Sequence, residues 1–129
     1  MVNSEGESAT ANLYFQETEP YDMHLNTDAV KLQIEVSGSH LFRGLQNIRQ
    51  QLEKMGWKLV CNGSCEDVRP SGMSISMSGG RTAYVLRLGT VDPERTVDIF
   101  AVDYVSRIEQ IVSVEEQNAY FGKWLNSRT

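Results

Sequence analysis

The chain has 129 residues, 40% of them hydrophobic, and a formal net charge of −5. That length suits one domain with a single core that needs neither disulfides nor metals. The sequence has no apolar run of membrane-spanning length, and its acidic balance argues against nucleic acid, which needs a clustered positive surface.

Residues 1–9 are small, polar and acidic and are expected to be disordered, which leaves residues 10–129 as one domain. The first dozen residues lack the basic and apolar stretches of a secretory leader, so the expected compartment is the cytoplasm. Residues 1–28 hold six acids and no Lys or Arg, whereas the rest is close to neutral. A solvated tail is the simple reading of that asymmetry, and mimicry of an acidic ligand is the alternative.

Residues 11–16, ANLYFQ, read as a strand with Leu13 and Phe15 on one face. The same run resembles a tobacco-virus protease site used to remove purification tags, with Ala11 and Glu17 departing from it, and that reading stays open. Glu19-Pro20 breaks the strand. Tyr21, Met23 and Leu25 alternate with polar residues as a second strand, and Asn26-Thr27-Asp28 is a turn cluster. Residues 30–36 alternate strictly, with Lys31, Gln33 and Glu35 facing water, which is the pattern of a half-buried antiparallel strand.

Ser37-Gly38-Ser39 ends that strand and offers an N-cap. Leu41, Leu45, Ile48, Leu52 and Met55, widened by Phe42, form an apolar stripe at helical spacing, closed by Gly56. A helix over about 39–55 follows. Its other face, with Arg43, Gln46, Asn47, Arg49, Gln50, Glu53 and Lys54, is mixed in sign and reads as solvated. Residues 57–61 form a strand closed by Asn62-Gly63, a pair that favours positive φ and a tight turn. Residues 81–88 and 95–100 are two further strands, joined by a loop with Pro93, and 108–112 is a short extended piece. Ser113 and Glu116 have the spacing of a capping box, in which each side chain bonds the other's backbone N–H. The helix that follows, about 114–126, presents Val114, Tyr120, Phe121, Trp124 and Leu125. Gly122 costs this helix about 1 kcal/mol relative to Ala, less than the roughly 2–3 kcal/mol that burial of Trp124 returns. The sum is an α+β domain: an antiparallel sheet of about five or six strands carrying one long helix and a C-terminal helix.

Chemistry-bearing residues are sparse. Cys61 and Cys65 have no nearby histidines to complete a zinc set, so no metal is expected, and they read as a buried strand residue and a turn residue, with a short-loop disulfide as the alternative. His24 and His40 are the only histidines, and neither lies in a nucleophile–base arrangement. Glu66 and Asp67 point opposite ways along a strand and make no acid/base pair. The chain is therefore expected to be no enzyme and to carry no cofactor.

The segment between the strands at 57–61 and 81–88 is the candidate site. Met73, Ile75 and Met77 alternate with serines, as in a half-buried strand; alternatively Met73 and Met77 lie one turn apart on a short helix or loop, where methionines make an adaptable contact surface. Ser78-Gly79-Gly80-Arg81 could hold an anion through backbone N–H groups and the arginine fork, or be a simple turn. The only basic residues between 59 and 122 are Arg69, Arg81, Arg87, Arg95 and Arg107; three or more on one face would mark a site for an acidic partner.

Gly56-Trp57, Cys61-Asn62-Gly63, Asp67-Val68, Pro70-Ser71-Gly72-Met73, Gly79-Gly80-Arg81, Ala83-Tyr84, Val97-Asp98-Ile99-Phe100, Val114-Glu115-Glu116-Gln117 and Trp124-Leu125 together resemble a family of small bacterial cytoplasmic proteins. The resemblance covers roughly residues 30–126. It implies an association with bacterial conflict loci, where small acidic proteins act as immunity proteins against a cognate toxin. Two expectations follow. The first is a non-enzymatic protein-binding module with Asp67, Arg69, Met73, Met77 and Arg81 as partner-binding residues. The second is a small-ligand or nucleotide domain that binds an anion at Gly79, Gly80 and Arg81.

Overall fold

The computed structural model describes residues 1–27, 31–89 and 95–127. In chain order its elements are β1 (Val2–Asn3), β2 (Asn12–Phe15), β3 (Asp22–Thr27), β4 (Leu32–Ser37), α1 (Leu41–Lys54), β5 (Trp57–Lys58), a 3-10 turn over Asn62–Ser64 and β6 (Val68–Arg69). Then follow α2 (Gly72–Ser78), β7 (Thr82–Val85), β8 (Arg95–Asp98), a 3-10 turn over Ile108–Gln110 and α3 (Val114–Ser127). Asp28 of the expected turn, Val30 of the expected strand and Pro93 of the expected loop lie outside the described residues.

The α+β class holds, but the single sheet of five or six strands does not. Among the described residues the strands form three small antiparallel sheets: the pair β1–β5, the meander β2–β3–β4 and the meander β6–β7–β8. Two of the ladders are only two pairs long. The β6–β7 ladder has two residue pairs, Val68 with Val85 and Arg69 with Tyr84. It ends at Pro70, which has no N–H to donate. The expected strand over 57–61 pairs only at Trp57 and Lys58, because its partner is the two-residue β1. Residues 1–9, expected to be disordered, supply that partner and fold back so that the N-terminal ammonium donates to Ala9 O at 2.8 Å.

The helices also differ from expectation. There is not one long helix with a lesser companion: α1 and α3 both span 14 residues, and α2 adds seven. The α1 stripe is buried at Leu41, Phe42, Leu45, Ile48 and Leu52, packed on Met23, Leu25 and Ile34 of one meander and Val68, Ala83, Val85 and Val97 of the other. Met55 falls at the C-cap and is exposed. His40 caps the helix in place of Ser39, its Nδ1 accepting from Arg43 N–H at 3.2 Å. The capping box of α3 forms as read: Ser113 Oγ accepts from Glu116 N–H and Glu116 Oε1 from Ser113 N–H, both at 3.1 Å.

Asn62-Gly63 makes no hairpin turn. It starts the 3-10 turn, and neither residue takes a positive φ. Asn62 is instead a buried connector: its amide donates to Asp98 O and Asp103 Oδ1 and its Oδ1 accepts from Tyr104 N–H. Gly63 is required by proximity, since a Cβ there would stand 2.5 Å from Leu45 Cδ2 and 3.0 Å from Ile99 Cβ. Gly63→Ala is expected to cost about 2 kcal/mol through this overpacking, read as a lower urea midpoint at unchanged m-value.

The polar face of α1 is not wholly solvated. Gln46 and Arg49 are buried, at 1% and 2% exposure, and meet Gln117 of α3, a residue absent from the expected apolar face. Cys61 and Cys65 are free thiols, both buried, so the disulfide alternative falls. Burial raises both thiols above their usual range, Cys65 to about 12.

Candidate partner-binding surface

The segment 72–78 is a helix and not a strand. Pro70 and Ser71 start it: the Ser71 hydroxyl accepts from Ser74 N–H at 3.1 Å, as an N-cap should. Gly79 ends it at φ 66, its N–H donating to Ile75 O at 3.0 Å. The αL conformation and a Tyr21 ring atom only 2.9 Å from any added Cβ together demand glycine at 79.

The amphipathicity of α2 is inverted. Ser74 is the buried residue of the helix, and its hydroxyl donates to Thr82 O at the start of β7. Ser78 Oγ donates to Ser74 O at 2.9 Å and accepts from Thr82 N–H. The serines therefore attach the helix to the sheet. Met73 and Met77, one turn apart, stand outward at 71% and 81% exposure.

The anion reading at Gly79, Gly80 and Arg81 meets a crowded site. The three backbone N–H groups donate to Ile75 O, Ser74 O and Ser78 O. The Arg81 guanidinium is ion-paired with Glu17 and Asp98, and its Cζ lies 5.2 and 5.8 Å from the stacked Phe15 and Phe100 rings. An anion there would have to displace two carboxylates.

Arg81, Arg95, Arg107 and Arg69 each have defined neighbours. Arg81 lies against Phe15 and Phe100, and Arg95 lies over the Tyr104 ring at 5.1 Å. Arg107 lines a shallow pocket with Glu66, Asp67 and Tyr120. Asp67 Oδ2 accepts from Tyr104 O–H at 2.6 Å, and burial with this carboxylate raises the phenol above its usual value. Arg69 lies over Phe121 at 4.2 Å and Phe42 at 5.6 Å and donates to Asn118 Oδ1 at 3.1 Å.

Arg69 has a neighbour that sequence reasoning assigned to solvent. Arg43 donates to Gln46 Oε1 at 3.3 Å, and Gln46 donates to the same Asn118 oxygen at 3.1 Å. His40 completes the group and borders α2, since its Nδ1 lies 3.4 Å from where a Gly80 Cβ would stand. Burial, then Arg43 and Arg69, holds His40 below its usual value. Of the expected partner-binding residues, Met73 and Met77 thus share one helix, Arg69 joins a cluster beside it, and Asp67 and Arg81 are engaged internally. Against models of known protein families and against curated proteins, the chain finds no match.

Proposed function

We propose that the chain is a non-enzymatic, cytoplasmic protein-binding module, most concretely an immunity protein that neutralises a cognate bacterial toxin. The observation that carries this reading is the inverted α2. Two large flexible apolar side chains face solvent one turn apart, while Ser74 and Ser78, with half-buried Ile75, hold the helix. A stability requirement alone would favour the opposite arrangement, because burying a methionine side chain is worth about 1.5–3 kcal/mol. Methionine adapts its shape to an apolar partner at little cost, which suits a contact surface. The immunity assignment adds the family resemblance to this surface. The anion-binding alternative has less support, because its N–H groups and its arginine are engaged within the chain.

The test is affinity capture from the bacterium that carries the protein, with wild type and Met73→Asp/Met77→Asp side by side. Both side chains are exposed, so the double variant should keep its stability within about 0.5 kcal/mol. The expected result is one stoichiometric partner held by wild type and lost by the variant, and protection of cells that produce that partner. Equal capture by both proteins, or no partner for either, overturns the reading.

A further inference from the structure

We propose that His40, Arg43 and Arg69 form a receptor for carboxylate side chains, so that the partner presents an acidic segment beside the apolar contact made by α2. This rests on the protein-binding reading above and names the partner's chemistry.

The cluster is built from three elements. Arg43 lies on the first turn of α1, Arg69 on edge strand β6, and Asn118 of α3 ties them together. Both guanidiniums bond neutral amide oxygens: Arg43 to Gln46, and Arg69 to Asn118, which also accepts from Gln46. Among the described residues the ion pairs are those of His24 with Glu35 and of Arg81 with Glu17 and Asp98, so neither Arg43 nor Arg69 has a carboxylate partner. In a chain of net charge −5, with 17 acids available, two neighbouring arginines without an acid form a specific local charge. The charged groups facing His40 are Arg43 from α1 and Arg69 from β6, and both act to keep its ring neutral.

Rigidity supports the same reading. The Arg69 guanidinium is fixed between two aromatic rings and an amide oxygen, so little side-chain entropy remains to be lost when a carboxylate arrives. One N–H of its five donors is used by Asn118, and the fork is suited to bidentate carboxylate binding.

Separated carboxylates fit better than a phosphate. Phosphate sites use converging backbone N–H groups at a helix start, and here the first-turn N–H of Arg43 is already taken by His40. The surface also continues into α2: Leu41 N–H donates to Gly79 O at 2.6 Å, which joins the start of α1 to the end of α2. A protein segment with acids next to apolar side chains would cover both.

The test is an NMR titration of the full chain with blocked tri-glutamate and, separately, with inorganic phosphate, at constant ionic strength. The peptide is expected to bind saturably, to shift the Arg43 and Arg69 Nε–H signals and to raise the midpoint of the His40 titration. Arg43→Gln, at an exposed position that leaves the fold intact, is expected to weaken peptide binding about tenfold. Shifts that are diffuse, do not saturate, or persist unchanged in Arg43→Gln overturn the proposal. Saturation by phosphate with no response to the peptide overturns it in favour of a phosphoryl ligand. The peptide has no apolar side chain, so it reads the cluster alone. Peptide binding without a captured partner refutes the α2 reading and leaves the receptor standing; capture through α2 without peptide binding does the reverse.

Discussion

Gln117→Ala is expected to lower the stability of the domain by about 3–4 kcal/mol, the sum of several buried polar groups losing their partners. The Gln117 side chain is 1% exposed and every atom of its amide is used. The two N–H groups on its Nε2 are shared among the carbonyls of Gly63, Cys65 and Val68 at 2.9, 2.8 and 3.2 Å. Its Oε1 accepts from Arg49 at 2.5 Å and from Gln46 at 3.1 Å. One residue of α3 thereby fixes the 3-10 turn, the start of β6 and the polar face of α1. Alanine leaves three carbonyls with fewer donors and the Arg49 guanidinium without its closest acceptor, in a space too enclosed for easy rehydration. Chemical denaturation monitored by the fluorescence of Trp57 and Trp124 checks the value. A loss under 1 kcal/mol would mean that water replaces the amide and that the cluster contributes little.

Such a residue shows where sequence reading stops. Periodicity found the apolar stripe of α1 and the β3 and β4 strands, because each depends on residues close together in the chain. The capping box of α3 was legible for the same reason. Gln117 was not, since a glutamine inside a helix looks solvated unless its partners, more than 45 residues away, are known. Gln46 and Arg49 were misplaced on identical grounds. The three separate sheets were hidden too: local patterning reveals strands but not which of them pair. For α2, alternating Met and Ser satisfies the strand period, whereas Met73 and Met77 at i and i+4 satisfy the helical one. Pro70 and Ser71 before and Gly79 after the segment decide for the helix. Arg69 was visible in the sequence as one of five scattered arginines, but its neighbour Arg43 was not linked to it, because the two are joined through Gln46 and Asn118.

Arg49→Ala is expected to be the most damaging single substitution, at about 4 kcal/mol or more. Its guanidinium donates to Gly63 O at 3.2 Å, Ser64 O at 3.5 Å, Val112 O at 2.7 Å and Gln117 Oε1. No carboxylate pairs with it among the described residues; the charge is held by carbonyl dipoles and one amide. Desolvating a guanidinium this way is costly, and it is tolerated because four acceptors converge on it, three of them in buried contacts and Val112 O at 2.7 Å in a half-buried one. Truncation removes donors from three carbonyls and leaves a cavity between α1 and α3. Arg49→Met, which refills much of that volume, should recover part of the loss and so separate the packing contribution from the hydrogen-bonding one. In a double-mutant cycle with Gln117→Ala the effects should be strongly non-additive, with a coupling of about 1–3 kcal/mol, because each side chain orients the other toward Gly63 O. Additive losses would mean that α1 and α3 grip the turn independently. A large coupling would mean that the turn at 62–64, and with it the start of β6 that carries Arg69, is held by a single cooperative unit.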